Sequence, residues 1–134
     1  MKTVSQLKYA IILIALLPLT LVSCSEEDLK GSKFDDEQEL SKLRSELQKI
    51  SDGVVCDNAA DWRIVPIGAK PCGGANSFIA YSVKIDTVEF LKKVDNYNNK
   101  QKAFNVKWGM TSDCAVIVGP KSITCENGKP KLNY

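Results

Sequence analysis

Apolar residues recur at helical spacing in a segment that begins about a quarter of the way along the chain. This stripe contains four aliphatic residues, each three or four positions from the next: Leu40, Leu43, Leu47 and Ile50. Acidic residues precede the stripe, where the dipole of a helix favours negative charge, and Gly53 follows it. The pattern predicts an amphipathic helix over 35–53. Such a helix can pack on its own domain, pair with another helix or form a stalk, and we favour packing on the domain.

A longer stripe predicts the main helix of the chain. Asp86 and Glu89 are typical of a capped start, and Ile85 can pack on Phe90 as a hydrophobic staple. Gly109 is a typical stop. The stripe between these signals is largely aromatic: Phe90, Val94, Tyr97, Phe104 and Trp108. Aromatic residues at this spacing are more typical of a core than of a ligand site.

Alternation of apolar and polar residues predicts strands. Short strands are expected over 62–65 and 78–83. Near the C-terminus, Asn127-Gly128 is typical of a type I′ hairpin turn, because both central residues of that turn need a positive φ. This turn places Ile123 opposite Leu132.

A third C-terminal strand follows if Gly119-Pro120 also forms a two-residue turn. Residues 114–118 then pair with the hairpin, and Cys114 lies opposite Cys125. The expected fold class is α+β: one long helix packed on a small antiparallel sheet, with a C-terminal three-stranded meander, two disulfides and an N-terminal amphipathic helix.

The cysteine count fits an exported domain with two disulfides. Four of the five cysteines lie in residues 54–134: Cys56, Cys72, Cys114 and Cys125. A segment of this length has a marginal core, which disulfides usually support. Four cysteines allow three connectivities. The meander register favours Cys114–Cys125 and leaves Cys56–Cys72, while a crossed pattern stays open. We expect no metal, since zinc ligands usually come in close pairs and the chain has no histidine.

The stretch from Pro66 to Ser77 predicts a long loop with a constrained backbone, because it is rich in proline and glycine. Its Gly73-Gly74 pair allows close approach by a partner or a small anion nest beside a lysine. The candidate binding residues in this loop are Lys70, Gly73, Gly74 and Asn76. The simpler interpretation, which we favour on sequence alone, is that the glycines turn the chain around a disulfide.

The composition argues against an enzyme. Without histidine, the usual activator of serine and cysteine nucleophiles is missing. Asp57 and Asp61 suggest a paired-carboxylate glycosidase as a weaker alternative, although so small a domain offers little room for a substrate cleft. We therefore expect no catalytic residues and no cofactor.

The start of the chain predicts an export signal. Two lysines precede a short apolar run over 9–19, which is too short for a stable membrane span. The run ends in Leu21-Val22-Ser23-Cys24, which resembles the lipobox of bacterial lipoproteins. The resemblance implies a signal peptide over 1–23 and acylation of Cys24, which would hold the protein on membrane lipid.

The polar segment after Cys24 predicts a flexible tether over 24–34. Its acidic run, Glu26-Glu27-Asp28 after Ser25, resembles the surface-export signal of lipoproteins in the Bacteroidetes group. That resemblance implies a place on the outer membrane, exposed at the cell surface. A solvated acidic tether, with the domain on the periplasmic face, is the alternative.

Two hypotheses for function follow. The first is a non-enzymatic binding or inhibitor module that displays the loop from Pro66 to Ser77 to a protein or glycan. The second is an envelope-structural or accessory lipoprotein that acts through the helix over 35–53. Lysines around the long helix are typical of a solvated face, and we expect no nucleic-acid partner for an exported, lipid-anchored chain.

Overall fold

A computed structural model describes residues 31–134 of the chain. The predicted signal peptide, Cys24 and the tether up to residue 30 lie outside these described residues. The fold is α+β, with two helices and two small antiparallel sheets. The elements in chain order are α1 (Lys33–Asp52), a 3-10 turn (Ala59–Asp61), β1 (Trp62–Ile67), β2 (Ser77–Ser82), α2 (Thr87–Lys107), β3 (Ser122–Glu126) and β4 (Lys129–Asn133). Within 31–134, neither helix has the length and apolarity that a membrane crossing requires.

Helix α1 occupies the segment predicted over 35–53. It begins where the side chain of Ser32 accepts a hydrogen bond from the amide of Asp35, 3.2 Å away. Its apolar stripe faces inward: Leu40 and Leu47 are buried against α2 and the first sheet. Two ion pairs with α2 border this contact, Lys100–Glu39 at 2.7 Å and Lys107–Asp36 at 2.6 Å.

Helix α2 begins and ends at the predicted signals. The carboxylate of Asp86 accepts a hydrogen bond from the amide of Glu89 at 2.9 Å, which caps the first turn. At the other end, Gly109 has a φ of +56°, and the amide of Met110 donates to the carbonyl of Asn105 at 2.9 Å. This is a Schellman ending, in which glycine adopts the left-handed conformation without a Cβ penalty. The predicted stripe is buried from Phe90 to Phe104.

The main core lies between the two helices and the β1–β2 hairpin. Phe90 is 1% exposed and its ring stacks on Tyr81, with ring centroids 5.1 Å apart. Leu47, Ile67 and Val94 are buried around it. The second sheet has a smaller core of its own, in which Trp62 is packed beside residues of β3 and β4.

The C-terminal hairpin has the predicted register. Ile123 is opposite Leu132, and the turn residues Asn127 and Gly128 have φ values of +52° and +75°. The prediction of a third strand in the meander is wrong. Residues 110–121 form no regular secondary structure, and β3 pairs only with β4 among the described strands. Cys114 has a φ of +56°, which a strand cannot contain.

The predicted disulfide pairing is also wrong. The structure pairs Cys56 with Cys125 and Cys72 with Cys114, with Cα atoms 5.3 and 5.8 Å apart, in place of the expected 56–72 and 114–125. The amide of Cys56 donates to the carbonyl of Gly128 at 2.8 Å, so the hairpin turn is held beside Cys56. Cys125 therefore forms its disulfide with Cys56, and Cys114 forms its disulfide with Cys72 in the loop between β1 and β2.

The packing of α1 predicts that its stripe is part of the domain's stability. Leu47 is 1% exposed, so Leu47→Ala leaves a cavity and should lower the free energy of unfolding by about 2–5 kcal/mol. Phe34, on the same helix, is 64% exposed, and Phe34→Ala should change it by less than about 0.5 kcal/mol. Urea denaturation followed by circular dichroism measures both. Equal stability of the two variants would contradict this packing.

Candidate functional site

The loop predicted as a binding element begins later than expected. Strand β1 includes Pro66 and Ile67, so the connection from β1 to β2 consists of residues 68–76. The amide of Asn76 donates to the carbonyl of Ile67 at 3.1 Å and closes the base of this loop. Gly68 has a φ of +79°, and a Cβ there would lie 2.9 Å from the Cβ of Asn76. Glycine at position 68 is therefore required by both backbone conformation and space.

Two asparagines of α2 fix the start of this loop. The amide of Gly68 donates to Oδ1 of Asn98 at 2.6 Å, and Nδ2 of Asn105 donates to the carbonyl of Ala69 at 2.8 Å. Asn98 and Asn105 are seven positions apart, which places them on one face of the helix, two turns from each other. Neither residue was predictable as part of the site, because an asparagine within a helical pattern does not indicate which backbone group its side chain will bond.

The tip of the loop is a tight turn around its two glycines. Gly73 and Gly74 have φ values of +96° and +84°. The amide of Lys70 donates to the carbonyl of Gly74 at 2.9 Å, and the amide of Gly73 donates to the carbonyl of Lys70 at 3.0 Å. The amide of Gly73 is thus used inside the turn, so the interpretation of Gly73-Gly74 as an anion nest finds little support in this geometry.

The loop is also joined to the irregular segment 110–121. The Cys72–Cys114 disulfide links the two segments directly. Beside it, Nζ of Lys70 donates to the carbonyl of Ala115 at 2.5 Å and lies 3.8 Å from the carboxylate of Asp113. The predicted use of the glycines, to turn the chain near a disulfide, fits this geometry, although the disulfide partner is Cys114 rather than Cys56.

A cleft of about 500 Å³ lies between this loop and the C-terminal end of α2. Its volume is within the range of small-molecule and side-chain binding sites. Of the four predicted binding residues, Lys70, Gly73 and Gly74 line the cleft, whereas Asn76 packs against Gly68 outside it. The remaining lining residues are Ala69, Pro71, Lys102, Asn105, Val106, Gly109 and Met110.

The cleft combines an apolar wall with one cation, Lys102, that has no acidic partner among the described residues. Val106 is 84% exposed on α2, and Pro71 and Met110 extend the apolar surface. The Nζ atom of Lys70 and the Nδ2 atom of Asn105 already bond protein carbonyls. Lys102, by contrast, forms no ion pair with any residue from 31 to 134. The arrangement suits an apolar group that carries a negative charge at one end.

The two carboxylates suggested for a glycosidase lie elsewhere and share a lysine. Nζ of Lys84 is 3.4 Å from Oδ1 of Asp57 and 2.9 Å from Oδ2 of Asp61. The hydrogen bond from Lys84 holds the pKa of Asp57 below its usual value of 3.8. A general acid needs the opposite shift, a raised pKa, so Asp57 is suited to this ion-pair network and not to proton donation.

No metal-binding group stands out in this part of the chain. Within 31–134, the side chains of aspartate, glutamate and cysteine nowhere come together in a set of three or more that could hold a metal ion.

The shared lysine predicts a pH effect that Lys84→Met should remove. In this variant the pKa of Asp57 should rise toward 3.8, because its largest stabilising contact is lost. The depressed pKa stabilises the native chain above pH 3.8, and this contribution is lost as pH falls through the lower, folded value. The two acids raise the pKa of Lys84 above 10.5, so its contribution is present below 10.5 and lost as pH rises through the folded value.

Carboxyl NMR titration of Asp57 measures this effect. Lys92→Met is the matched control, because Lys92 is exposed and forms no ion pair with another described residue. An unchanged Asp57 pKa in Lys84→Met would contradict the contact.

Comparison with known proteins adds no family to this geometry. No protein-family model, curated protein or solved structure matches the chain.

Proposed function

We propose that this chain is a lipid-anchored bacterial envelope lipoprotein that acts as a non-enzymatic binding module through the cleft between residues 68–76 and the end of α2. The cleft is the observation that carries the proposal. It is formed by the loop that the sequence singled out, and its volume of about 500 Å³ admits a partner side chain or a small ligand.

The mode of attachment is supported by the distribution of cysteines. The two disulfides use the four cysteines of the domain, Cys56 with Cys125 and Cys72 with Cys114. The fifth cysteine, Cys24, then has no cysteine of its own chain left to pair with, and it follows an apolar run that resembles a lipoprotein signal. We propose an outer-membrane location with the domain at the cell surface, and the acidic run after Cys24 supports this over the periplasmic face.

A binding role is supported by the way the cleft is held. The loop is fixed before any partner binds. It is held by hydrogen bonds to two asparagines of α2, by the hydrogen bond between Asn76 and Ile67, and by one disulfide. A pre-organised site loses little conformational entropy on association, which favours affinity. The apolar wall favours a protein side chain over a glycan, and Lys102 favours a partner with an acidic group beside that side chain.

The alternative role, a structural lipoprotein that pairs with another chain through α1, has less support. Leu40 and Leu47 are buried in the domain's own core. Among the described residues of α1, Phe34 is the large apolar side chain that stays exposed, at 64%.

The anchor is tested by Cys24→Ser. Lipid attachment needs the thiol, so this variant should lose the acyl chains and leave the detergent phase on phase separation, while the wild-type chain stays in it. Mass spectrometry reports the acylated and cleaved forms. The matched control is Ser25→Ala, which keeps the thiol and should stay lipid-bound. Acylation of the Cys24→Ser variant would refute the lipoprotein assignment.

The cleft is tested by Val106→Asp, which places a carboxylate on its apolar wall. The full chain, immobilised in detergent, should capture a specific protein from envelope extract. Val106→Asp should weaken capture at least about tenfold, since the carboxylate removes apolar contact area, can pair with Lys102 one turn away and repels the acidic group expected on the partner. Val88→Asp is the control, because Val88 is 63% exposed on the same helix and outside the lining. Equal loss of capture in both variants would rule out the cleft as the site.

A further inference from the structure

Residues 115–118, Ala-Val-Ile-Val, form an apolar segment that faces solvent. Val116 is 92% exposed and Val118 is 70% exposed, and these two positions lie on the same side of an extended chain. The segment contains no charge and is rich in β-branched residues, which favour strands. Exposed runs of this kind are typical of interaction surfaces, because a monomer gains nothing from leaving them in water.

The backbone of this segment is unpaired but held at both ends. Residues 116–119 form no backbone hydrogen bond with any described residue. On one side Ala115 accepts from Lys70, and on the other the amide of Lys121 donates to the carbonyl of Asn133 at 2.7 Å. None of the residues from 115 to 118 has a positive φ, so the backbone of this segment is compatible with an extended conformation. The segment is therefore positioned to accept a strand.

We propose that residues 115–119 pair antiparallel with the same segment of a second copy of this chain, centred on Ile117. An interface between two copies with a two-fold axis must be self-complementary, and this register satisfies that condition. Val116 of each copy lies opposite Val118 of the other, which gives two β-branched cross-strand pairs from side chains that are exposed in the single copy.

The flanking charges favour an antiparallel arrangement of two copies, and the exposed valines favour this register. Pairing about Ile117 brings Asp113 of each copy near Lys121 of the other at both ends, just outside the paired strand, since Cys114 with a φ of +56° ends that strand. A shift by one residue would place Val116 opposite Ile117 of the other copy and lose both Val116–Val118 pairs. Asp113 accepts a hydrogen bond from the amide of Ala115 at 3.2 Å and lies 3.8 Å from Lys70, yet its side chain is 78% exposed and can contact a second copy. Lys121 forms no ion pair within the described residues.

The interface is distinct from the cleft and does not depend on the proposed binding role. Among the residues that line the cleft, none belongs to 113–121. Loss of dimerisation and loss of partner capture are therefore separable by variants that affect one and leave the other.

The test is sedimentation equilibrium of the full chain in density-matched detergent. The wild-type chain should show a concentration-dependent monomer–dimer equilibrium. Val116→Lys with Val118→Lys places like charges opposite one another and should raise the dissociation constant at least about tenfold. Val106→Lys, at a valine of similar exposure on α2, should leave it unchanged. A wild-type chain that stays monomeric overturns the proposal, and so does a dimer that the double lysine variant retains.

Charge reversal tests the register. Asp113→Lys alone and Lys121→Asp alone should each weaken the dimer, because like charges then face each other at both ends. The two changes together restore opposite charges and should restore the wild-type dissociation constant. Asp113→Lys also places a second positive charge beside Lys70, which lies 3.8 Å from Asp113, and this could disturb the fold. Near-UV circular dichroism of each variant therefore separates weakened dimerisation from unfolding. A folded double variant that stays as weak as the single ones overturns the register centred on Ile117.

Discussion

Burial of the α2 stripe is the constraint on which the rest of the described chain depends. Neither sheet has more than two strands, and a two-stranded sheet in water is marginal without a helix or another sheet against it. Phe90, Val94 and Phe104 supply the surface on which α1 and the first hairpin pack. The same helix holds the candidate loop through Asn98 and Asn105, so the shape of the cleft is coupled to the integrity of the core.

The two disulfides add a second constraint of a different kind. Each joins segments far apart in the chain, with sequence separations of 69 and 42 residues. In the chain-entropy model, each disulfide of this loop length lowers the entropy of the unfolded ensemble and so raises the free energy of unfolding by about 4 kcal/mol. For a domain whose second sheet has a small core, contributions of this size are a large part of the total.

Local signals explain which features were predictable. The cap at Asp86, the stop at Gly109 and the turn at Asn127-Gly128 depend on residues within a few positions, and the structure has all three where expected. The third strand of the meander and the disulfide pairing depended on distant contacts instead. Alternation made residues 114–118 suitable for a strand, but it carried no information about the contacts of Lys70 and Cys72 with this segment.

The candidate site was predictable in the same partial way. Its glycine-rich loop stood out because glycine and proline restrict the backbone, whereas Val106 and Lys102 were part of an ordinary helical pattern. The stripe places Val106 off the buried face of α2, but nothing in the sequence shows that the loop lies beside it. The pairing of Asp57 and Asp61 was visible from their spacing, but the lysine that fills the space between them, Lys84, comes from a position 27 residues after Asp57.

The Cys72–Cys114 link connects the cleft with the exposed apolar segment. The alternation over residues 114–118 predicted a strand beside β3, which would have covered their valines within one chain. The disulfide and the bond from Lys70 to Ala115 draw this segment toward the loop and complete its attachment. In this arrangement the backbone of residues 116–119 forms no hydrogen bond with another backbone group of the described chain, and Val116 is 92% exposed. The link that joins the loop of the cleft to Cys114 therefore also fixes one end of the segment that we propose to pair with a second copy.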